Sequence, residues 1–203
     1  MKNILIFLLV ILTNQNTLHT SKILIIYFSR TGNTELFTKY IQENENISSF
    51  KIDPVTPYPE DYNTMLDLAK KERNEDARPD IKDPLTDISK YDIILLGYPI
   101  WHSHLPNIVI NQLEKLNFDN KTIYPFNTHG GSKKGDSIED IKNAVSKNAN
   151  VKDGFPIKDT DIKNNKADSV EKIKDWLDDI ANSFKYIKFN YSIFIVLLLI
   201  FYK

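Results

Sequence analysis

Ser29, Thr31, Asn33 and Thr34 place three hydroxyls and one amide within six residues, interleaved with Arg30 and Gly32. That set suits a phosphate monoester, which is held by neutral donors converging with backbone N–H groups at a helix start. Gly32 would let the backbone close around such a ligand. The loop lacks the Gly-Lys-Thr ending of a nucleoside triphosphate loop and the three-glycine dinucleotide fingerprint, which argues against both ligands there. On spacing alone, the same residues also serve as a strand-to-helix turn capped by Ser and Thr with nothing bound.

Two further stretches carry unusual residues. Gly97-Tyr98-Pro99-Ile100-Trp101-His102 offers an aromatic for stacking, and Thr128-His129-Gly130-Gly131-Ser132 with Gly135 gathers three of the chain's six glycines. Of the four histidines, His102 and His104 stand two apart in a loop, a poor chelate without a third ligand, so no metal site is expected. Ser29 and Ser132 lack a histidine partner in the pattern, so nucleophilic catalysis is not expected either. Cysteine is absent, which excludes disulfides, thiolate metal sites and iron–sulfur ligation, and leaves redox chemistry to a bound organic cofactor.

The elements around these stretches follow from periodicity. Lys22 to Phe28 and Tyr91 to Gly97 are apolar runs without alternation, as in strands covered on both faces. Residues 47–52, 122–127 and 151–157 read as three more strands, the last broken by Gly154 and Pro156. Helical spacing predicts helices over 34–42, 61–74, 106–116, 136–146 and 167–184. Pro54 to Pro59, with three prolines, and Arg78 to Pro84 read as loops. Strands alternating with helices imply a parallel α/β sheet. All three unusual loops leave carboxyl ends of strands, the edge where open α/β sheets bind ligands.

Length fits a single domain over residues 22–185. That central segment holds all 27 acidic residues against 23 of the 26 basic ones, a charge of −4 with its lysines interleaved, so no nucleic-acid partner is expected. Residues 1–21 carry Lys2 followed by nine apolar residues, Ile4 to Leu12, and read as a signal-like or membrane-anchor segment with a poor cleavage site. Residues 186–203 form an apolar tail, too short to span a bilayer comfortably. Membrane association or export is therefore expected from the ends, with a cytoplasmic location as the alternative.

Ile26-Tyr27-Phe28-Ser29-Arg30-Thr31-Gly32-Asn33-Thr34 resembles the first-loop signature of the flavodoxin family in full. The second loop is similar to a flavodoxin branch reading Tyr-Pro-Ile-Trp-Trp, with His102 in place of the second Trp, and the third to Thr-Ser-Gly-Gly-Ser, with His129 in place of Ser. The resemblance covers about Lys22 to Ala181. It implies a three-layer flavodoxin-like sandwich with a five-stranded parallel sheet of order 2-1-3-4-5 and helices on both faces. It also implies bound FMN, its phosphate on Ser29, Arg30, Thr31, Gly32, Asn33 and Thr34. Pro99, Ile100, Trp101, His102, Thr128, His129, Gly130 and Gly131 would lie against the ring, with Trp101 the stacking residue.

The function so implied is electron transfer as a low-potential shuttle, exchanging electrons with partner proteins or a small acceptor such as a quinone. An FMN-dependent NAD(P)H:quinone-type oxidoreductase is the alternative. A non-redox binding or membrane-tethered interaction module on the same fold is a third. A receiver domain is disfavoured, because Phe28-Ser29-Arg30 offers no acidic pair after the first strand.

Overall fold

The computed structural model describes residues 22–201, with side chains as far as Ser183. In chain order the elements are β1 (Ile23–Tyr27), α1 (Asn33–Asn44), β2 (Ser48–Lys51), β3 (Asp53–Pro54), α2 (Tyr62–Asn74), β4 (Ile81–Lys82), β5 (Ile93–Pro99) and α3 (Asn107–Glu114). They continue as β6 (Thr122–His129), α4 (Ser137–Ala144), β7 (Asn150–Val151), β8 (Phe155–Lys158), α5 (Asp159–Asn164) and α6 (Lys166–Phe201).

The main sheet is parallel throughout and runs β2-β1-β5-β6, closed at one edge by β7 and β8, which both pair with β6. This is the expected α/β architecture with two differences. The fifth strand is two short pieces, because the chain leaves the ladder over residues 152–154, so the sheet has six strands instead of five. The segments expected as loops around Pro54 and Arg78 to Pro84 contribute β3 and β4, which pair antiparallel in a two-residue ribbon. Counting every strand, the order becomes 2-1-5-6-7.

Alternation along the buried strands divides the core. Leu24, Ile26, Phe28, Ile94, Leu96 and Tyr98 face one side, packed under Met65 and Ala69 of α2, Val109 and Leu113 of α3 and Ile141 of α4. Ile25, Tyr27, Leu95, Tyr124 and Phe126 face the other, under Phe37 and Ile41 of α1 and Ile173 and Ile180 of α6. There the Phe155 and Trp176 rings stack at 5.2 Å and 14°, tying the edge strand to α6.

The final helix continues past the expected end at residue 184 to Phe201, so the backbone has no break at the 185/186 boundary. Residues 1–21, expected as leader or anchor, lie outside the described residues, as do the side chains of the apolar tail. Among the described residues, no helix is long and apolar enough to cross a membrane.

Candidate functional site

Register brings the three loops to one edge. Tyr27 lies beside Gly97, Gly97 beside Phe126 and Pro99 beside Thr128, so β1, β5 and β6 end at nearly the same height. The Phe126 ring fills the space beside Gly97, where a Cβ would fall 2.3 Å from it.

The first loop ends in Gly32, which caps α1 in the left-handed conformation (φ 85°) with no side chain bonded to the helix end. The first intrahelical bond is Leu36 N–H to the Gly32 carbonyl, 2.8 Å, which leaves the amides of Asn33, Thr34 and Glu35 without intrahelical acceptors. Helix α2 is the contrast: its cap Asp61 accepts from Thr64 N at 2.8 Å. Ser29 Oγ and Asn33 Oδ1 are buried here without a hydrogen-bond partner. Five buried side-chain polar atoms are so orphaned among the described residues, and two of the other three, Asn127 Oδ1 and His129 Nδ1, belong to the end of β6 beside this loop. Buried polar groups are seldom left unsatisfied, so this concentration makes the edge the candidate site for an outside group.

Hydroxyls and backbone join the loops. Thr34 Oγ1 and Thr128 Oγ1 are 3.0 Å apart and buried, linking the first loop to the third. Ile100 N–H donates to the Thr128 carbonyl at 2.9 Å, linking the second to the third. Gly135 (φ 51°) makes the second such junction, since a Cβ would stand 2.1 Å from the Ser103 carbonyl oxygen, which also accepts from Asp136 N–H at 2.7 Å. Asn127 Nδ2 donates to the Lys133 carbonyl, shaping the glycine turn from within. Gly130 and Gly131 are exposed with open space beside their Cα atoms.

Three of the side chains expected around a ligand have their contacts within the protein. Arg30 turns from the cradle: its guanidinium donates to the carbonyls of Pro59 at 2.6 Å and Glu60 at 3.3 Å. Trp101 is only 7% exposed and packs edge-on against Phe28 and Tyr58, at 5.5 and 4.8 Å between ring centroids. His102 adopts φ 48° and holds the Leu66 carbonyl through Nε2 at 2.9 Å.

The 54–60 segment thus belongs to the site, although its prolines predict no more than an irregular stretch. Its Tyr58 packs against both Phe28 and Trp101, completing a cluster of three rings, and donates to the Glu72 carboxylate at 3.0 Å. Together with Phe28, Ser29 and Arg30 it borders a cavity of about 380 Å³. A tyrosine among prolines directly beyond a strand's carboxyl end was the available signal.

Arg30, Asp53 and Lys82 are the charged residues bordering this cavity. Burial pushes the His129 imidazole below its ordinary value near 6.5, with Asp159 and Asp161 opposing, which keeps the ring neutral at neutral pH. Burial likewise pushes the Glu72 carboxyl up, and the Tyr58 hydroxyl holds it down.

A family model described as flavodoxin matches residues 22–180. The chain belongs to the flavodoxin family. Among solved structures of similar fold is a protein assigned as a flavoprotein from Bacteroides eggerthii, 32% identical, covering 80% of this chain and 99% of its own, with a TM-score of 0.67. Another from Bacteroides uniformis is 26% identical, covers 78% of this chain and 98% of its own, and also gives 0.67. A Lactobacillus acidophilus flavoprotein in complex with FMN shares the fold at 20% identity and a TM-score of 0.57, covering 70% of this chain and 95% of its own. No curated protein matches the sequence. The flavodoxin signature falls on the three loops that register brings together.

Proposed function

We propose that this flavodoxin binds FMN and serves as a low-potential electron shuttle, and the observation that carries this reading is the uncapped start of α1. A phosphate needs donors, and the free amides of its first turn, the orphaned Ser29 hydroxyl and the Thr31 hydroxyl supply them. A half-turn of the Asn33 side-chain amide exchanges its orphaned oxygen for a donor, an assignment that depends on what binds. No lysine is required, and Arg30 closes the cradle from outside by holding the 59–60 backbone.

The ring would lie against Pro99 to His102 and Thr128 to Gly131. When bound, FMN supplies one- and two-electron redox chemistry. The chain's own residues bind, orient and exclude water. The Thr34–Thr128 hydroxyl pair sets the distance between anchor and ring loops, and the Phe28–Tyr58–Trp101 packing keeps water from the loop's inner side. His129, held neutral by burial, offers a hydrogen-bonding nitrogen without a charge. None of these groups has to act as acid, base or nucleophile.

Titrating purified protein with FMN, followed by absorption and quenching of flavin fluorescence, is the test. Saturable one-to-one binding is expected. A protein that leaves FMN free in solution would overturn the reading, and rapid steady-state NAD(P)H oxidation with a quinone would replace the shuttle with an enzyme.

A further inference from the structure

Beside the second loop lies a cavity of about 290 Å³ between the last turns of α2 and the start of α3. Its lining is basic although the domain is acidic overall. Lys70, Arg73, His102 and His104 face it together with an apolar wall that includes Trp101 and Leu105, and no carboxylate lines it. Lys70 is exposed and makes no ion pair or hydrogen bond among the described residues. Asp140 stands behind the wall with both oxygens engaged: Oδ1 takes Arg73 Nη2 at 2.9 Å, and Oδ2 takes His104 Nδ1 and Leu105 N–H, each at 3.0 Å. Asp136 reaches only the other imidazole nitrogen of His104, at 3.7 Å. Asp140 therefore fixes Arg73 and His104 in place while the Lys70 ammonium remains uncompensated. His102, standing where the resembling branch has a second Trp, is tied back to Leu66 and forms part of the same wall.

We propose that this cavity is a second ligand site, separate from the phosphate cradle, which takes a small organic anion: a flat apolar body bearing a sulfonate, carboxylate or phosphate. The volume suits one or two fused rings. The apolar wall takes the ring, and the ammonium of Lys70 with the free guanidinium edge of Arg73 takes the charge. The ligand would sit against the loop that carries Trp101, so a bound anion and the candidate flavin site share one wall.

The site does not depend on FMN, and its test is arranged accordingly. The probe is 2-naphthalenesulfonate, with 2-naphthol as the uncharged ring control, titrated by calorimetry and by amide NMR into FMN-free and FMN-treated protein. Sulfonate is expected to bind more tightly than naphthol, to shift the amides of Lys70, Asn74, His102 and His104, and to weaken with added salt. Lys70→Glu should lower its affinity about tenfold and Lys70→Gln about threefold, while Lys174→Glu, the same reversal on α6, leaves it unchanged. Equal binding of sulfonate and naphthol, indifference to both Lys70 variants, or shifts confined to Ser29 to Asn33 would each refute the site. A protein that ignores FMN but binds sulfonate at Lys70 would fail the redox reading and keep this one.

Discussion

Ser29 carries a hydroxyl that is buried and bonded to nothing, and its removal distinguishes a binding group from a structural one. Ser29→Ala deletes a polar atom that no protein group uses, so thermal melting of the FMN-free protein should move by no more than about 0.5 kcal/mol. FMN affinity, read by fluorescence quenching, should fall about tenfold. A large loss of stability with unchanged affinity would make Ser29 part of the frame instead. His129 gives a test in pH. Its folded value lies below the ordinary one near 6.5, so the unfolded chain binds the proton more readily. Its contribution to stability is therefore complete above about 6.5 and is lost as pH falls below that towards its lower folded value, at most about 1.4 kcal/mol per pH unit. Denaturant unfolding at stepped pH should show that slope in the native protein and a shallower one in His129→Ser.

Among the elements, α2 shows which features a sequence carries locally and which it does not. Its amphipathic pattern was legible because it is local, with Asp61 serving as the cap just before the helix instead of its first residue. Its partners were not, since they lie across the chain: Glu72 takes Tyr58, the Glu72 carbonyl takes Asn107 Nδ2, the Leu66 carbonyl takes His102, and Arg73 takes Asp140. The ribbon of β3 and β4 was hidden for a different reason, as Pro54 reads as a breaker yet sits in a two-residue edge pairing with no demand on its missing N–H. The three loops stood out because their residue types are unusual, and register does bring them to one edge, but Arg30's turn towards Pro59 was not legible, since no spacing rule encodes it. The junction at Gly135 is the element-scale prediction. Gly135→Ala meets both a left-handed φ and the Ser103 carbonyl, so chemical denaturation should show a loss of about 2–3 kcal/mol. FMN affinity should drop with it, as the second and third loops part. Retained stability would mean that these loops tolerate separation.

For the molecule as a whole, the parallel sheet was readable because β1 and β5 are buried on both faces and leave uninterrupted apolar runs, whereas the edge strand, half covered, breaks into β7 and β8. A ligand that recognises only the assembled edge stabilises the whole domain: FMN at a hundred times its dissociation constant should add about 2.7 kcal/mol to unfolding, measurable as a rise in melting temperature. An unchanged melting temperature at saturating FMN would exclude binding linked to folding. The Thr34–Thr128 hydroxyl contact spans 94 residues of sequence, and it bears on timing as well as on shape. Contacts between distant residues are slow to form because chain closure precedes their reward. The phosphate cradle is therefore among the last features to mature: in a refolding experiment, helical ellipticity should recover first and flavin fluorescence should be quenched later. FMN acts in that sequence as a late lock on a finished sheet, without effect on the rate at which the sheet is built.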